Sequence, residues 1–477
     1  MKRPFPILRA LTATCLLVAA GTSVAATPAG DDPLAPLQSA YLRSVPPGEQ
    51  ADLYQALFET VLARVQRSYA TEVDPSALSA AAIKVLEPLP PGAGDPAEVF
   101  RSAINAALAT LDPNSRYVDT RSYTSERSDS GASFGGLGIE IEPGDGAIRV
   151  VTPIAGGPAA RAGLLAGDLI VRIDDQPLAG ISVSDASSRM RGQPGTPVSV
   201  TIRRAGMGQD FTVSLTRETI RRQALSWSME GDVLVLRLRT FSGSVAAAVE
   251  QAIGEATAGN TPKAVVLDMR GNPGGLLREA VTIADAFLSS GDIVTLRGRT
   301  ASNQRMWKAD AAELLAGLPM LVLIDARSAS AAELVAAALQ ENGRAKVMGQ
   351  RSYGKGTVQS TYSLGDQQGA LKLTTAFYLG PSGRSVQRVG VAPDIEIVTP
   401  ASTQEVRRAP APAQVPAGVV LSDANKPQTP AARVAQERCA LQPKVADPVL
   451  SCAMAYLHAP DFEAFVREFA GASLPAR

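Results

Sequence analysis

The chain has 477 residues, is 45% hydrophobic and only 5% aromatic, and balances 46 basic against 46 acidic side chains. That length supports two to four domains with cores of their own, and a formal charge of zero with no long basic run argues against nucleic acid as a partner. One histidine, His458, and three cysteines supply no group of three or four soft metal ligands, so no metal is expected, and a Ser-His-Asp triad would have to recruit a residue close to the C-terminus.

Residues 1–25 read as an export signal. Lys2, Arg3 and Arg9 make a positive start, Ala10 to Ala20 is a short apolar run, and Ser23-Val24-Ala25 or Val24-Ala25-Ala26 offers small residues for cleavage. The run falls short of the roughly 20 apolar residues that a spanning helix needs, and the expected location is the periplasm or another extracytoplasmic space. Cys15 would leave with the signal. In an oxidising compartment Cys439 and Cys452 are candidates for a disulfide, the alternative being two buried thiols.

Residues 33–125 are expected to form an N-terminal helical region. Leu53, Leu57, Val61 and Val65 recur every four residues, Val99, Ile104, Leu108 and Leu111 mark a second helix, and Leu86 to Gly92 breaks the pattern. These helices read as scaffold or a dimer surface without chemistry of their own.

From 130 to 217 short apolar strands and turns take over. Gly135-Gly-Leu-Gly-Ile-Glu-Ile141, Gly157-Pro-Ala-Ala-Arg-Ala-Gly-Leu164, Gly167-Asp-Leu-Ile-Val-Arg-Ile-Asp174 and Val198-Ser-Val-Thr-Ile-Arg203 stand in an order that resembles a PDZ domain. The resemblance implies that the amides around Gly136, Leu137, Gly138 and Ile139 receive the terminal carboxylate of a peptide, which adds as a strand. Glycine there lets backbone approach ligand; the plainer reading is a glycine turn in a small β-domain.

Residues 218–400 alternate strands and helices. Val265-Val-Leu-Asp268 and Met320-Leu-Val-Leu-Ile324 are continuous apolar runs, each followed by a small-residue loop and an Ala/Leu-rich helix, which predicts a parallel sheet with sites at its strand ends. An Ala/Pro-rich linker over 401–435 and a small helical appendix over 436–477 complete an α+β multidomain chain.

The chemistry gathers between Leu321 and Gln359. Ser330 follows a buried strand and opens a helix, so its hydroxyl stands at a strand end beside the Ala331 amide, a candidate oxyanion donor. Ser330-Ala-Ala-Glu333 equally fits a helix capping box. Lys355 shifts the balance. A lysine serves as general base only when neutral, and its ordinary pKa of about 10.4 must fall by roughly three units to be useful near neutral pH. It stands between Gly354 and Gly356, which allow close burial, in a chain with nine lysines against 37 arginines. Gln359, four residues on, shares a face with Lys355 under either regular periodicity and offers a neutral amide to orient the amine. Across the sheet, Asp268-Met-Arg-Gly-Asn-Pro-Gly274-Gly275 offers a second amide from Gly274 or Gly275, with Arg270 and Asn272 as braces. A plain βα turn and a solvated turn lysine are the alternatives.

Two other motifs fail on context. Gly131-Ala-Ser133-Phe-Gly135 has nucleophile-elbow spacing but no apolar strand leading into it, and Gly349 to Lys355 approaches a phosphate-binding loop but has Gly356 where Ser or Thr should hold magnesium.

Taken in order, the PDZ-like segment, Leu-Asp-Met-Arg-Gly-Asn-Pro-Gly-Gly, Ser-Ala-Ser-Ala-Ala-Glu, Gly-Lys-Gly-Thr-Val-Gln and Gly390-Val-Ala-Pro-Asp-Ile395 resemble the carboxyl-terminal processing peptidases, also called tail-specific proteases. The resemblance implies Ser330 as nucleophile, Lys355 as base, Gln359 as its orienter, the amides of Ala331 and Gly274 or Gly275 as the oxyanion hole, and Arg191 as a residue coupling PDZ ligand to active geometry. It also admits an adaptor protein and a homodimer formed through the N-terminal helices. Asn114 stands where the family's histidine is expected, and Ala332 replaces a common serine. The expectation is a serine endopeptidase without metal or organic cofactor, acting on exported proteins with accessible, apolar C-termini. The competing expectation is an exported, non-catalytic PDZ module that binds C-termini.

Overall fold

The computed structural model describes residues 34–470 apart from 130–132, 145, 155, 180, 182, 222–223, 260, 311, 366, 399–419, 422–429 and 440–446. The expected export signal and most of the expected linker lie outside the described residues.

The chain begins with four helices, α1 (Ala35–Ser44), α2 (Glu49–Ser68), α3 (Pro75–Leu86) and α4 (Pro96–Ala109), followed by strand β1 (Arg116–Val118). Asp74 and Asp95 start α3 and α4 by accepting the amides of Ser76 and Glu98, each ahead of a proline whose missing N–H costs nothing there. Their core joins Phe58, Phe100 and Tyr117 edge-to-face, beside Leu57, Val61 and Val65. Leu53, expected in the same stripe, is 42% exposed. At 100° per residue a strict four-residue repeat drifts about 40° at each step, so a stripe four members long cannot stay on one face. Leu371 and Leu373 from far along the chain complete this core.

Helix α5 (Thr120–Asp129) leads into the β-domain: β2 (Ser133–Gly136), β3 (Ile139–Gly144), β4 (Ala147–Pro153), α6 (Pro158–Arg161), β5 (Leu169–Ile173), β6 (Gln176–Pro177), α7 (Val183–Met190), β7 (Pro197–Arg203), β8 (Phe211–Thr216) and β9 (Glu218–Arg221). Strands run in the order β3-β4-β5-β7-β8, with β6 on β5. Thus β3 is an edge strand. The chain enters and leaves through an antiparallel ribbon, β2 on β9, with Phe134 opposite Ile220.

The remaining elements are β10 (Leu225–Glu230), β11 (Val233–Leu238), α8 (Val245–Gly259), β12 (Ala264–Asp268), α9 (Leu277–Ala286), β13 (Asp292–Arg297), β14 (Arg305–Lys308), β15 (Met320–Ile324), α10 (Ala331–Glu341), β16 (Lys346–Gly349), β17 (Thr357–Ser363), β18 (Ala370–Leu379), β19 (Arg384–Ser385), β20 (Ile395–Val398), β21 (Val420–Leu421), β22 (Ala432–Ala435), α11 (Pro448–His458) and α12 (Phe462–Phe469). The main sheet has the order β10-β11-β12-β15-β16-β20-β22, parallel beyond the β10–β11 pair. Its central strands are buried on both faces, which is why they read as unbroken apolar runs. Helices α8, α9 and α10 cover one face, and Met454 and Phe465 of α11 and α12 cover the other. In a second sheet β18 pairs with β1, β13, β17 and β19.

Two expectations need correction. Residues 432–435, assigned to the linker, form the edge strand β22 beside β20; Ala-Arg-Val-Ala is too short and too weakly patterned to stand out from its Ala/Pro-rich surroundings. The C-terminal helices are no mere appendix, since they bury a whole face of the main sheet. A disulfide joins Cys439 to Cys452 of α11.

Candidate active site

Strand β15 ends at Ile324, and the chain turns through Asp325 to Ala329 before Ser330 opens α10. Asp325 holds the turn by accepting the amides of Arg327 and Ser328, and reaches the neighbouring loop through the amide of Gly271 at 2.9 Å. Ser330 sits at φ +57°, ψ −113°, a conformation costing a non-glycine residue about 1–3 kcal/mol unless its surroundings impose it. A strained strand-to-helix turn is therefore found at Ser330, whereas Ser133 lies in β2.

The imposing group is Glu333, which is fully buried. One carboxylate oxygen accepts the amides of Ser330 and Lys355, both at 2.8 Å; the other accepts the Gly354 amide and the Ser352 hydroxyl, both at 2.6 Å. Burial pushes the Glu333 pKa up, against these four donors, which favour the ionised form. The Tyr378 hydroxyl of β18 adds a second link, lying 2.9 Å from the Ser330 carbonyl and within reach of the Lys355 carbonyl. One carboxylate and one phenol thus join the backbones of serine and lysine. The capping-box glutamate is real, but it does more than cap.

Lys355 precedes β17 and is half-buried. Desolvation lowers its pKa from the ordinary 10.5; Arg116 and Lys372 lower it further, while Asp112 and Glu333 oppose. The flanking Gly356 is required by close approach, since a Cβ there would come within 2.7 Å of Ser385 Oγ and 2.8 Å of the Gln387 amide. Gln359 lies on β17 and donates both amide hydrogens, to Thr357 Oγ1 at 3.0 Å and Thr374 Oγ1 at 3.2 Å. Only its carbonyl oxygen is left to act. Among the described residues no hydrogen bond joins Gln359 to Lys355, and a bulge between Val358 and Gln359 interrupts the uniform alternation that the spacing argument assumed.

Gly274 lies against Ser330. Its φ is +100°, and a Cβ would come within 2.8 Å of Ser330 Cβ and 2.9 Å of the Ala331 nitrogen, so only glycine fits. Its N–H, however, is taken by Asn272 Oδ1 at 2.8 Å. Asn272 is fully buried, donates to the Leu238 carbonyl and accepts the Ala329 amide, bracing the loop as expected. Gly274 O and Leu276 N–H both bond to Phe241, so the intervening Gly275 faces the other way. Among the described residues the amides of Gly275 and Ala331 have no acceptor.

Sequence reasoning missed three parts of this region. The first is the loop after α4, where buried Asp112 accepts the amides of Asn114 and Ser115 and the Ser115 hydroxyl; that hydroxyl in turn accepts the Thr374 amide at 3.1 Å. This brings the end of the helical region, judged free of chemistry, within electrostatic reach of Lys355. The departure at Asn114 was the available signal. The second is Asp447, the N-cap of α11, which pairs with Arg270. The third is Arg217 after β8, buried and without a carboxylate partner among the described residues, whose guanidinium donates to the carbonyls of Arg189 and Met190 at the C-terminal end of α7 and to Thr196 and Pro197. Arg191, the expected coupling residue, lies just beyond α7 with its amide on the Ser187 carbonyl. In the β-domain, Leu137 and Gly138 connect β2 to edge strand β3, with Gly136 ending β2 and Ile139 starting β3.

The comparisons agree with this layout. Residues 232–397 match the model of peptidase family S41, and residues 149–204 that of a PDZ domain. A carboxy-terminal-processing protease of Bartonella bacilliformis is 41% identical over 309 residues, covering 64% of this chain and 71% of that protein. The carboxy-terminal processing protease CtpA of Bacillus subtilis is 33% identical over 309 residues, 64% of this chain and 65% of its own. A solved structure described as a photosystem II D1 C-terminal processing protease aligns over 72% of this chain and 92% of its own, at 28% identity and a TM-score of 0.51. With its PDZ domain between a helical N-terminus and an S41 peptidase core, the chain belongs to the carboxy-terminal processing proteases, a family of serine-type peptidases.

Proposed function

We propose that the protein is an exported serine endopeptidase in which Ser330 attacks the scissile carbonyl and Lys355, neutral in the resting site, takes its proton. The reading rests above all on Glu333, which bonds the backbones of both residues at once, beside a lysine whose charge is disfavoured by burial. The tetrahedral oxyanion is held by the amides of Ala331 and Gly275, both without an acceptor among the described residues, and Gly274 serves as the spacer that admits the loop. Lys355 then gives its proton to the leaving amine, and water hydrolyses the acyl-enzyme by the reverse path. Gln359 Oε1 orients the amine.

Peptide or protein substrates follow from the PDZ domain and the family. For the tail itself, the unpaired side of edge strand β3 suits strand addition, with the turn at Leu137-Gly138 for the carboxylate and an apolar final side chain. Export is supported by the basic start and short apolar run of residues 1–25 and by the Cys439–Cys452 disulfide, which an oxidising compartment sustains.

The test compares the mature protein with its Ser330→Ala variant on an unfolded protein ending in an apolar residue, alongside labelling by a serine-reactive probe. Cleavage and labelling by the wild type alone are expected. Equal cleavage by both removes Ser330 from the mechanism, and a folded wild type that binds tails without cleaving or reacting returns the chain to a binding module.

A further inference from the structure

The loop that carries Gly274 and Gly275 is held from outside the peptidase core. Asp268, 1% exposed at the end of β12, accepts Arg270 Nε and Nη2 at 2.8 and 2.7 Å and Arg237 Nε at 3.0 Å. The outer edge of the same Arg270 guanidinium donates to both carboxylate oxygens of Asp447, at 3.0 and 2.6 Å. Arg270 is therefore gripped on two sides, by its own strand end and by the C-terminal segment. Burial alone would lower its pKa, but the two carboxylates raise it overall, and Arg270 in turn brings Asp447 below the usual carboxylate range.

Asp447 is itself fixed twice. It caps α11 by accepting the amides of Val449 and Leu450 at 3.0 and 3.1 Å, and it lies within the covalent ring that Cys439 and Cys452 close over a separation of 13 residues. Two residues beyond Arg270, Asn272 carries the constraint onward through the Ala329 and Gly274 amides to the serine turn.

We propose that Asp447, held by the Cys439–Cys452 disulfide, is a positioning residue for the peptidase reaction, fixing through Arg270 the loop whose amide faces the developing oxyanion. The C-terminal segment then acts on the rate of the chemical step and not on substrate binding. This role rests on the serine-peptidase reading above.

Steady-state cleavage by the full mature protein tests it, with Asp447→Asn, Asp447→Glu and a Cys439→Ala/Cys452→Ala variant beside wild type and Ser330→Ala. Asp447→Asn keeps the shape and the cap but loses the charge, and kcat is expected to fall about 10-fold or more with KM within about twofold, as for a small misplacement of catalytic groups. Asp447→Glu restores part of kcat. The double cysteine variant, or wild type treated with a thiol reductant, lowers kcat in the same sense while circular dichroism reports a folded chain. Unchanged kcat in folded Asp447→Asn, or a rise in KM alone, overturns the proposal. Should Asp447→Asn fail to fold, full kcat in the folded, reduced wild type overturns it instead. If Ser330→Ala cleaves like wild type, the serine reading fails, which is a separate result.

Discussion

The peptidase centre and the PDZ domain use charged side chains in opposite ways. Around Ser330 the charges are wholly or partly buried and bonded several times over: Glu333 takes four donors, and Arg270 lies between two carboxylates. Around the PDZ domain most ion pairs lie in water, the pair of Arg204 with the buried Asp168 being the exception. Arg161 with Glu218 and Arg203 with Asp210 are largely exposed, and Arg239 with Glu140, which spans from the core to β3, is 3.9 Å apart with both side chains about half exposed. Exposed pairs contribute about 0–1 kcal/mol, whereas breaking a buried pair costs about 3–5 kcal/mol. The difference teaches that geometry is fixed around Ser330 and Lys355, while the PDZ domain is joined through a two-stranded ribbon and weak surface contacts.

That contrast breaks most plainly at Lys355. Lys355→Ala is expected to abolish turnover with the fold intact, and near-normal cleavage would remove the lysine from the mechanism. Lys355→Met should be equally inactive yet melt at a higher temperature than wild type at neutral pH. The sign follows from the lowered pKa: between the folded value and 10.5 the unfolded chain carries a proton that the folded chain does not, so stability rises with pH across that window. Below the folded value both states are charged, and the full cost of burying the ammonium remains. The same direction places the rising limb of kcat/KM below pH 10.5, and a limb at or above that value in a pH–rate profile contradicts a neutral resting lysine.

Next in size, Glu333→Gln should cost about 3–5 kcal/mol in denaturant unfolding and most of the activity, because an amide group must then face donors. Arg217→Met should cost less, about 1–3 kcal/mol for the carbonyls it leaves buried and unpaired, with a loss in PDZ peptide affinity measured by calorimetry exceeding any loss in kcat on a tail-independent substrate. The smallest effect belongs to Glu218→Gln, whose exposed partnership with Arg161 predicts a change within about 0.5 kcal/mol; a large change there would show that the ribbon is held by its charges after all.

What was legible in the sequence was local. Met320 to Ile324 announces a strand because both its faces are buried, and Ser330 and Lys355 stand out as a serine at a strand end and a lysine between glycines. The rest is contributed by partners distant in the chain. Asp112 and Arg116 act on Lys355 from more than 200 residues away, Asp447 meets Arg270 across 177, and Arg217 is one of 37 arginines with no local mark of its burial. Which of the Gly274 and Gly275 N–H groups Asn272 takes is a question of side-chain direction that spacing does not answer.

Strand β18 runs from Leu371 and Leu373, in the core of the N-terminal helices, to Tyr378 beside Ser330 and Lys355, and Thr374 at its centre donates its amide to Ser115 across 259 residues. A site wired through such a strand has very high contact order, and loop-closure entropy makes its assembly a late event in folding. A growing chain that has produced Ser330 but not yet β18 therefore has the serine without the frame that holds it. The protease carries its own latency: it becomes competent only once nearly all of it exists.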